Sequence, residues 1–573
     1  MEYVSGTNQV VLNFSEKFCK NEVEVLNSSC FKDVWAKFID HIYKVEKQDV
    51  LKIVNICENP KKDYINLFKL LFEFEISEIK KISPFYKLIL DHTDVLYELI
   101  ENFYDYWRRL ERYGVVYAKS RMGGLESTSF TNAMDSFNNV VLSTYRTISQ
   151  KVFGENFAIY RQLPAGVNAG LLISKHKWME KTSKYAFLGS SEFIEMITIR
   201  PPFITYSKKN KRTGTYPESD VNPIYEVAKN YKAEEYYCYA AHVGSSLAYV
   251  YFHRDYLAHG ITLCNLFDFV PLNKCHGVKP DLLYVFGANI EGESVFYHDV
   301  EEDIYVGVAP HNSSIDYFGY MKKMLLTLYN VKMIESGNLP LHGACVHITM
   351  KNGVTKNVVI IGDSGAGKSE SLEALSNYAG NNISSQLTIF DDMGTFKIVD
   401  DSVVAYGTEI GAFVRLDDMA SGYAYKEMDR AIFMNPDKVN SRLVIPVATY
   451  NQIMKGYKID MVLYANNYDD VEEQLSIFEN KDEAIKTFIR GARRAKGTTQ
   501  EVGLVESFFA NPFGPVQRQK QTELLIEKYF SKLFESKVLV GQLYTKLAVT
   551  NCEYEGPAGA AKKLFEILGK WLW

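Results

Sequence analysis

The stretch Asn357-Val358-Val359-Ile360-Ile361-Gly362-Asp363-Ser364-Gly365-Ala366-Gly367-Lys368-Ser369-Glu370 decides how the chain is read. Residues Gly362 to Ser369 fit the pattern G-x-x-x-x-G-K-[ST]. The run Asn357 to Ile361 before them reads as a buried strand, and Glu370 to Tyr378 after them reads as a helix. Glycines at such a junction let the backbone curl until several N–H groups point at one phosphate, and the helix N-terminus adds the positive end of its dipole. Gly362, Asp363, Ser364, Gly365, Ala366, Gly367, Lys368 and Ser369 are therefore the expected nucleotide cradle. Lys368 is expected to meet the outer phosphates of ATP, and the Ser369 hydroxyl to reach magnesium (Mg2+).

A metal bound there needs carboxylates. The short apolar run Leu387-Thr388-Ile389-Phe390 ends in Asp391-Asp392, two acids at a strand end that suit magnesium or manganese. Upstream, Tyr317-Phe318-Gly319-Tyr320-Met321-Lys322-Lys323 opens a helical run that continues through Met333. Leu339-Pro340-Leu341-His342-Gly343-Ala344-Cys345-Val346 follows, with His342 nineteen positions after Lys323.

Taken in order, these pieces resemble the ATP-dependent phosphoenolpyruvate carboxykinase family. The resemblance continues through Thr408-Glu409-Ile410-Gly411-Ala412-Phe413-Val414-Arg415-Leu416, Asn440-Ser441-Arg442-Leu443-Val444-Ile445-Pro446, Ala495-Lys496-Gly497-Thr498-Thr499 and Phe509-Ala510-Asn511-Pro512-Phe513-Gly514, and covers residues 315–520. It implies an α/β, bilobal fold, with the active site in the cleft between a substrate-side lobe (126–325) and a nucleotide-binding lobe (326–573). It implies that Lys323, as the neutral amine, His342 and Asp392 hold a catalytic manganese ion (Mn2+), that Lys322 and Tyr317 face the organic substrate, and that Arg442 neutralises the transferred phosphoryl group. The reaction it implies converts oxaloacetate and ATP into phosphoenolpyruvate, ADP and carbon dioxide.

Three departures keep a second reading open. Where that family carries a substrate-binding arginine in T-G-R-S-P, the string Arg212-Thr213-Gly214-Thr215-Tyr216-Pro217 has Thr215, which cannot clamp a carboxylate with two prongs. Arg212 or Lys211 is the nearest substitute. Asp363 and the pair Ser369-Glu370 are closer to the G-D-S-G-x-G-K-S-E loop of HPr kinase/phosphorylase, which also places His-Gly before its loop, as His342-Gly343 does here. Gln500 stands about where the carboxykinase family has an adenine-facing arginine. The alternative is thus a kinase of the same superfold acting on another small molecule or a protein serine, with Asp391 or Asp392 as base. A third reading is a nucleotide-binding regulator.

Composition limits the other possibilities. With 64 basic and 70 acidic residues the net charge is −6, which gives no footprint for nucleic acid. No apolar run approaches the ~18 residues of a membrane span, and the opening residues Met1-Glu2-Tyr3-Val4-Ser5 lack the pattern of a signal peptide. Eight cysteines without a C-x-x-C pair argue against a zinc ribbon. The expectation is a cytoplasmic protein that takes a nucleotide and a small-molecule carboxylate. Residues 1–125 read as an extra helical N-terminal domain, with helices over Tyr64–Phe72 and Asp91–Arg112, and are the place for any protein partner. Beyond the change of texture at Gly123-Gly124, a helix is expected over Thr128–Val152 and strands over Ala169–Ile173, Leu247–Phe252 and Leu282–Phe286.

Overall fold

The computed structural model describes residues 2–15, 17–45, 48–118, 125–154, 164–180, 182–212, 214–379, 382–416, 423–495 and 503–570. The architecture is mixed α/β, with mixed parallel and antiparallel sheets. The chain divides into two compact units, Met1–Ser174 with Ile194–Phe203, and Lys175–Phe193 with Ile204–Trp573. The expected division at residue 125 falls where the helix Leu125–Phe153 begins, and the first unit continues through that helix. No described helix is long and apolar enough to cross a membrane.

Residues 1–125, expected to be helical, also contribute three strands to the first unit. The strands Glu2–Ser5 and Gln9–Asn13 form an antiparallel hairpin. Gln9–Asn13 then runs parallel to Glu111–Tyr117, and that strand parallel to Ala169–Ile173. Helices cover this sheet and build a separate core around Trp35, Tyr64, Phe68, Leu96 and Leu99. The helix Leu125–Phe153 approaches the sheet closely because Gly114 and Gly170 face each other in register beneath Met134. A Cβ on either would stand 2.9 Å from the Met134 sulfur.

The expected helix over Asp91–Arg112 ends earlier, at Arg109, and the cause is Arg112 itself. Its buried guanidinium donates from Nη1 to the carbonyls of Trp107 (2.8 Å), Arg108 (2.6 Å) and Leu110 (2.9 Å), and from Nε to that of Gly166 (2.7 Å). The last carbonyls of a helix lack intrahelical partners. Here a side chain that looked like part of the helical stripe turns back to satisfy them, which frees Glu111–Tyr117 to enter the sheet.

Among the described residues the second unit holds strands of two large sheets, a four-stranded sheet and a two-stranded one. In one large sheet, Tyr236–Val243 and Ser246–His253 form an antiparallel hairpin, and Ser246–His253, Leu282–Ala288 and Ile304–Pro310 run parallel. The expected strands over Leu247–Phe252 and Leu282–Phe286 lie inside these elements. The other large sheet is organised by the long strand Leu339–Met350. Its first half pairs with Met393–Val399, and its second half with Thr355–Ile361 and Ile383–Phe390. Thr355–Ile361 continues parallel into Met461–Asn466 and Leu539–Tyr544. The helix Phe318–Glu335 is buried on most of its surface, so its lysines are forced into the interior.

Arg112→Met should expose the Gly166 carbonyl and the end of the helix Thr93–Arg109, at about 1–3 kcal/mol per unsatisfied buried group. The expected result is faster amide hydrogen exchange over Glu111–Tyr117, with Val358–Ile361 in the second unit unchanged. Unchanged exchange in both places would contradict the capping role.

Candidate active site

The strand Leu339–Met350 fixes the positions of three motifs. His342 pairs in register with Met393, and Gly343 with Ile361. Gly343 N–H donates to the Asp392 carbonyl at 3.0 Å, and Gly362 N–H to the His342 carbonyl at 3.0 Å. Asp391 and Asp392 are the two residues between Ile383–Phe390 and Met393–Val399, which both pair with this strand. The neighbour of His342 has to be glycine, because a Cβ at 343 would stand 2.6 Å from the Ile360 carbonyl oxygen.

Three sequence-predicted residues meet on the carboxylate of a fourth, Asp392. Lys322 Nζ lies 2.6 Å and Lys323 Nζ 2.7 Å from Asp392 Oδ2, while His342 Nε2 lies 2.8 Å from Oδ1. Adjacent helical residues point about 100° apart, and only side chains as long as lysine can converge in this way. Lys322 also faces Glu409 Oε1 at 2.9 Å. Lys322 is fully buried, and Glu409 and His342 nearly so. Lys323 and Asp392 keep 15% and 20% side-chain exposure, so the cluster opens on their side.

The electrostatics divide the two lysines. Burial depresses Lys322, but the Asp392 and Glu409 carboxylates outweigh it and hold the ammonium above its ordinary range. For Lys323, burial wins over Asp392, with the Lys322 charge adding to it, and its pKa falls. Burial opposes ionisation of Asp392, yet Lys322, Lys323 and His342 keep it well below the usual carboxylate range. Burial pushes Glu409 up to about 7 and Asp391 up to about 6.

The junction after Thr355–Ile361 adjoins this cluster. The backbone is left-handed at Gly365 (φ 78°) and Gly367 (φ 90°), then enters the helix Lys368–Ala379. The turn is braced from behind, since Asn467 donates to the Gly365 carbonyl (2.9 Å) and Thr545 Oγ1 to that of Ala366 (2.7 Å). Lys368 Nζ folds back onto the Asp363 carbonyl at 3.0 Å, and Ser369 Oγ donates to Asp391 Oδ1 at 2.8 Å. Gly362, Ala366 and Gly367 are buried, whereas Ser364 and Gly365 are exposed. Asp363 turns inward, 3.5 Å from His342 Nδ1 and 2.7 Å from Arg493 Nε.

Further cations and rings stand beside the two lysines. Arg442 and Lys322 lie over the Phe413 ring at 5.4 and 5.6 Å. Arg212 and Lys323 lie over the Phe513 ring at 4.6 and 4.7 Å. Tyr317 is buried beside Phe413, where burial raises its phenol and Arg442 opposes the rise. Thr215 is exposed. Thr213, Lys496-Gly497-Thr498-Thr499 and Gln500 lie outside the described residues.

Glu409 and Arg493 are the residues that motif reading did not single out. Glu409 lay within a quoted stretch but without an assigned part, and Arg493 stands two positions before the quoted turn at Ala495.

The donor set suits a divalent ion. It offers one carboxylate, one imidazole and one depressed amine. His342 Nε2 and Lys322 Nζ are buried without a well-aligned hydrogen bond despite their short ion-pair distances. His342 Nδ1 lies 2.7 Å from the Ala510 carbonyl, so an Nδ1–H would donate there and leave Nε2, which faces Asp392 Oδ1, as the atom to meet an ion.

Removing one member of a buried ion cluster strands the others, at about 3–5 kcal/mol. Lys322→Met should therefore destabilise the second unit strongly. Lys322→Met with Glu409→Gln should cost less than the sum of the single changes, by about 1–3 kcal/mol of coupling. Hydrogen exchange of the Leu339–Met350 strand measures both, and strict additivity would contradict the pairing. No protein-family model matches this sequence and no curated protein does either, so function is argued from the chemistry of this site.

Proposed function

We propose that the protein is a nucleotide-dependent phosphoryl-transfer enzyme resembling phosphoenolpyruvate carboxykinase, with a bilobal fold of that type and a phosphate-binding loop at Gly362–Ser369. The observation that carries the reading is the convergence of Lys323, His342 and Asp392 in one cluster, next to the turn whose Ser369 meets Asp391. Residues far apart in sequence supply a divalent-ion donor set beside a helix N-terminus suited to phosphate.

In this reading Lys323, His342 and Asp392 would hold manganese, and Ser369 with Asp391 would hold the magnesium that accompanies ATP. The bound manganese would supply Lewis-acid stabilisation of an enolate oxygen. Lys323 can ligate only as the neutral amine, which its depressed pKa favours. Lys368 would leave the Asp363 carbonyl and meet the outer phosphates. Arg442, next to Tyr317 and Phe413, would neutralise charge on the transferred phosphoryl group. The substrate carboxylate needs a cation in place of Thr215. Arg212 fits that part, because it shares the Phe513 ring with Lys323. The carbon–carbon bond of oxaloacetate breaks, carbon dioxide leaves, and the electron pair forms the enolate. The enolate oxygen then takes the γ-phosphoryl group, and ADP departs.

One observation favours the alternative, an HPr-kinase-like enzyme that phosphorylates a hydroxyl. Asp391 already accepts a hydrogen bond from the Ser369 hydroxyl, and its pKa near 6 suits a general base.

An assay of the purified chain with ATP, manganese and oxaloacetate separates the two. The carboxykinase reading expects phosphoenolpyruvate, lost in Lys323→Ala. Lys368→Ala should also weaken ATP binding about tenfold to a hundredfold, the value of a charged hydrogen bond. Protein that binds ATP but forms no phosphoenolpyruvate would overturn the carboxykinase reading. Phosphorylation of a hydroxyl acceptor would then support the alternative.

A further inference from the structure

Three polar residues gather at the carboxyl ends of parallel strands in the other large sheet of the second unit. His253 closes the strand Ser246–His253, Asp255 follows in the turn Arg254–Tyr256, and His311 follows the strand Ile304–Pro310. Leu282–Ala288 runs parallel between those two strands, so both histidines emerge on the same edge. Carboxyl ends of parallel strands are where α/β proteins collect ligand-binding groups. The intervening strand stays out of the way, because its Gly287 has no side chain. A Cβ there would stand 2.6 Å from the Tyr256 ring and 3.0 Å from His253 Cβ.

We infer that His253, Asp255 and His311 form a binding site for a divalent transition metal of the zinc type, separate from the Asp392 cluster. Each residue offers one ligand atom within 4.8 Å of the other two. Asp255 Oδ2 lies 3.4 Å from His253 Nδ1 and 2.9 Å from His311 Nε2. Ligands held at roughly 2.0–2.1 Å on a tetrahedral ion are about 3.3 Å apart, so small side-chain adjustments close the set. Two imidazoles and a carboxylate suit zinc, cobalt or iron better than magnesium.

The tautomer is also right. His253 Nδ1 accepts the Asp255 backbone N–H at 3.2 Å, so it presents a lone pair on the side where the ion would sit. That hydrogen bond would give way to the metal. The Nε2–H of His253 is then left to face Glu235 Oε2 at 3.6 Å. A carboxylate behind a ligating histidine fixes its orientation and raises its basicity. Glu235 in turn lies 3.5 Å from Arg254, which pairs with that carboxylate. Asp255 is about half exposed and His311 about a third, which leaves an open coordination position toward solvent.

Cobalt(II) is the probe, because it replaces zinc and absorbs visible light when tetrahedral. The full chain should bind one cobalt with such a band in the His342→Ala background, where the Asp392 cluster is disabled. The band should vanish when His311→Ala is added, and Asp255→Asn should weaken binding at least tenfold. Both substitutions are on partly exposed side chains, and circular dichroism checks that the variants fold. Absence of cobalt binding in the His342→Ala protein, or a band that survives His311→Ala, would overturn the inference.

Discussion

A single carboxylate, that of Asp392, carries two ammonium groups on one oxygen and an imidazole on the other. Most of the second unit can be read as what is needed to keep that arrangement. Each ion brought out of water costs several kcal/mol, so such a cluster adds little net stability. The surrounding fold has to hold it. The almost wholly buried helix Phe318–Glu335 supplies the lysines, and the long strand Leu339–Met350 supplies the histidine. Pairing of that strand with both Ile383–Phe390 and Met393–Val399 leaves Asp391-Asp392 at the corner between them.

The same strand ties the cluster to the glycine-rich turn. Thr355–Ile361 pairs along it and delivers Asp363, whose side chain lies between His342 and Arg493. Asp391, beside the cluster, accepts from Ser369 on the helix that follows the turn. A ligand that moves Lys368 or Ser369 therefore acts on residues in contact with, or next to, the Asp392 centre. That physical link is what a phosphoryl-transfer reading requires, since nucleotide and acceptor must be brought together with water excluded.

Part of this was legible in the sequence, where the signal was local. The buried strand, glycine-rich turn and helix at 355–379 show in periodicity and glycine spacing, and the structure has those elements there. The strands at Ser246–His253 and Leu282–Ala288 were visible as apolar runs. What depends on tertiary pairing was not visible. Arg112 fits a helical stripe, yet its guanidinium ends the helix by binding carbonyls of the last turn and of Gly166. The strand Glu111–Tyr117 pairs with Gln9–Asn13 and Ala169–Ile173, about 100 and 55 residues away, so a short β-like run was absorbed into a helical reading. Glu409 and Arg493 acquire their places only when strands distant in sequence bring them to Lys322 and Asp363.

The central claim is that the Asp392 cluster is a divalent-metal centre adjoining a nucleotide site. Crystals grown with manganese and ATP, measured at the manganese absorption edge, test it most directly. The account predicts an anomalous peak within coordination distance of Lys323 Nζ, His342 Nε2 and Asp392, with ATP phosphates at the Gly362–Ser369 turn. Manganese absent from that position, with Lys322 and Lys323 still paired to Asp392 in the presence of bound ATP, would contradict it.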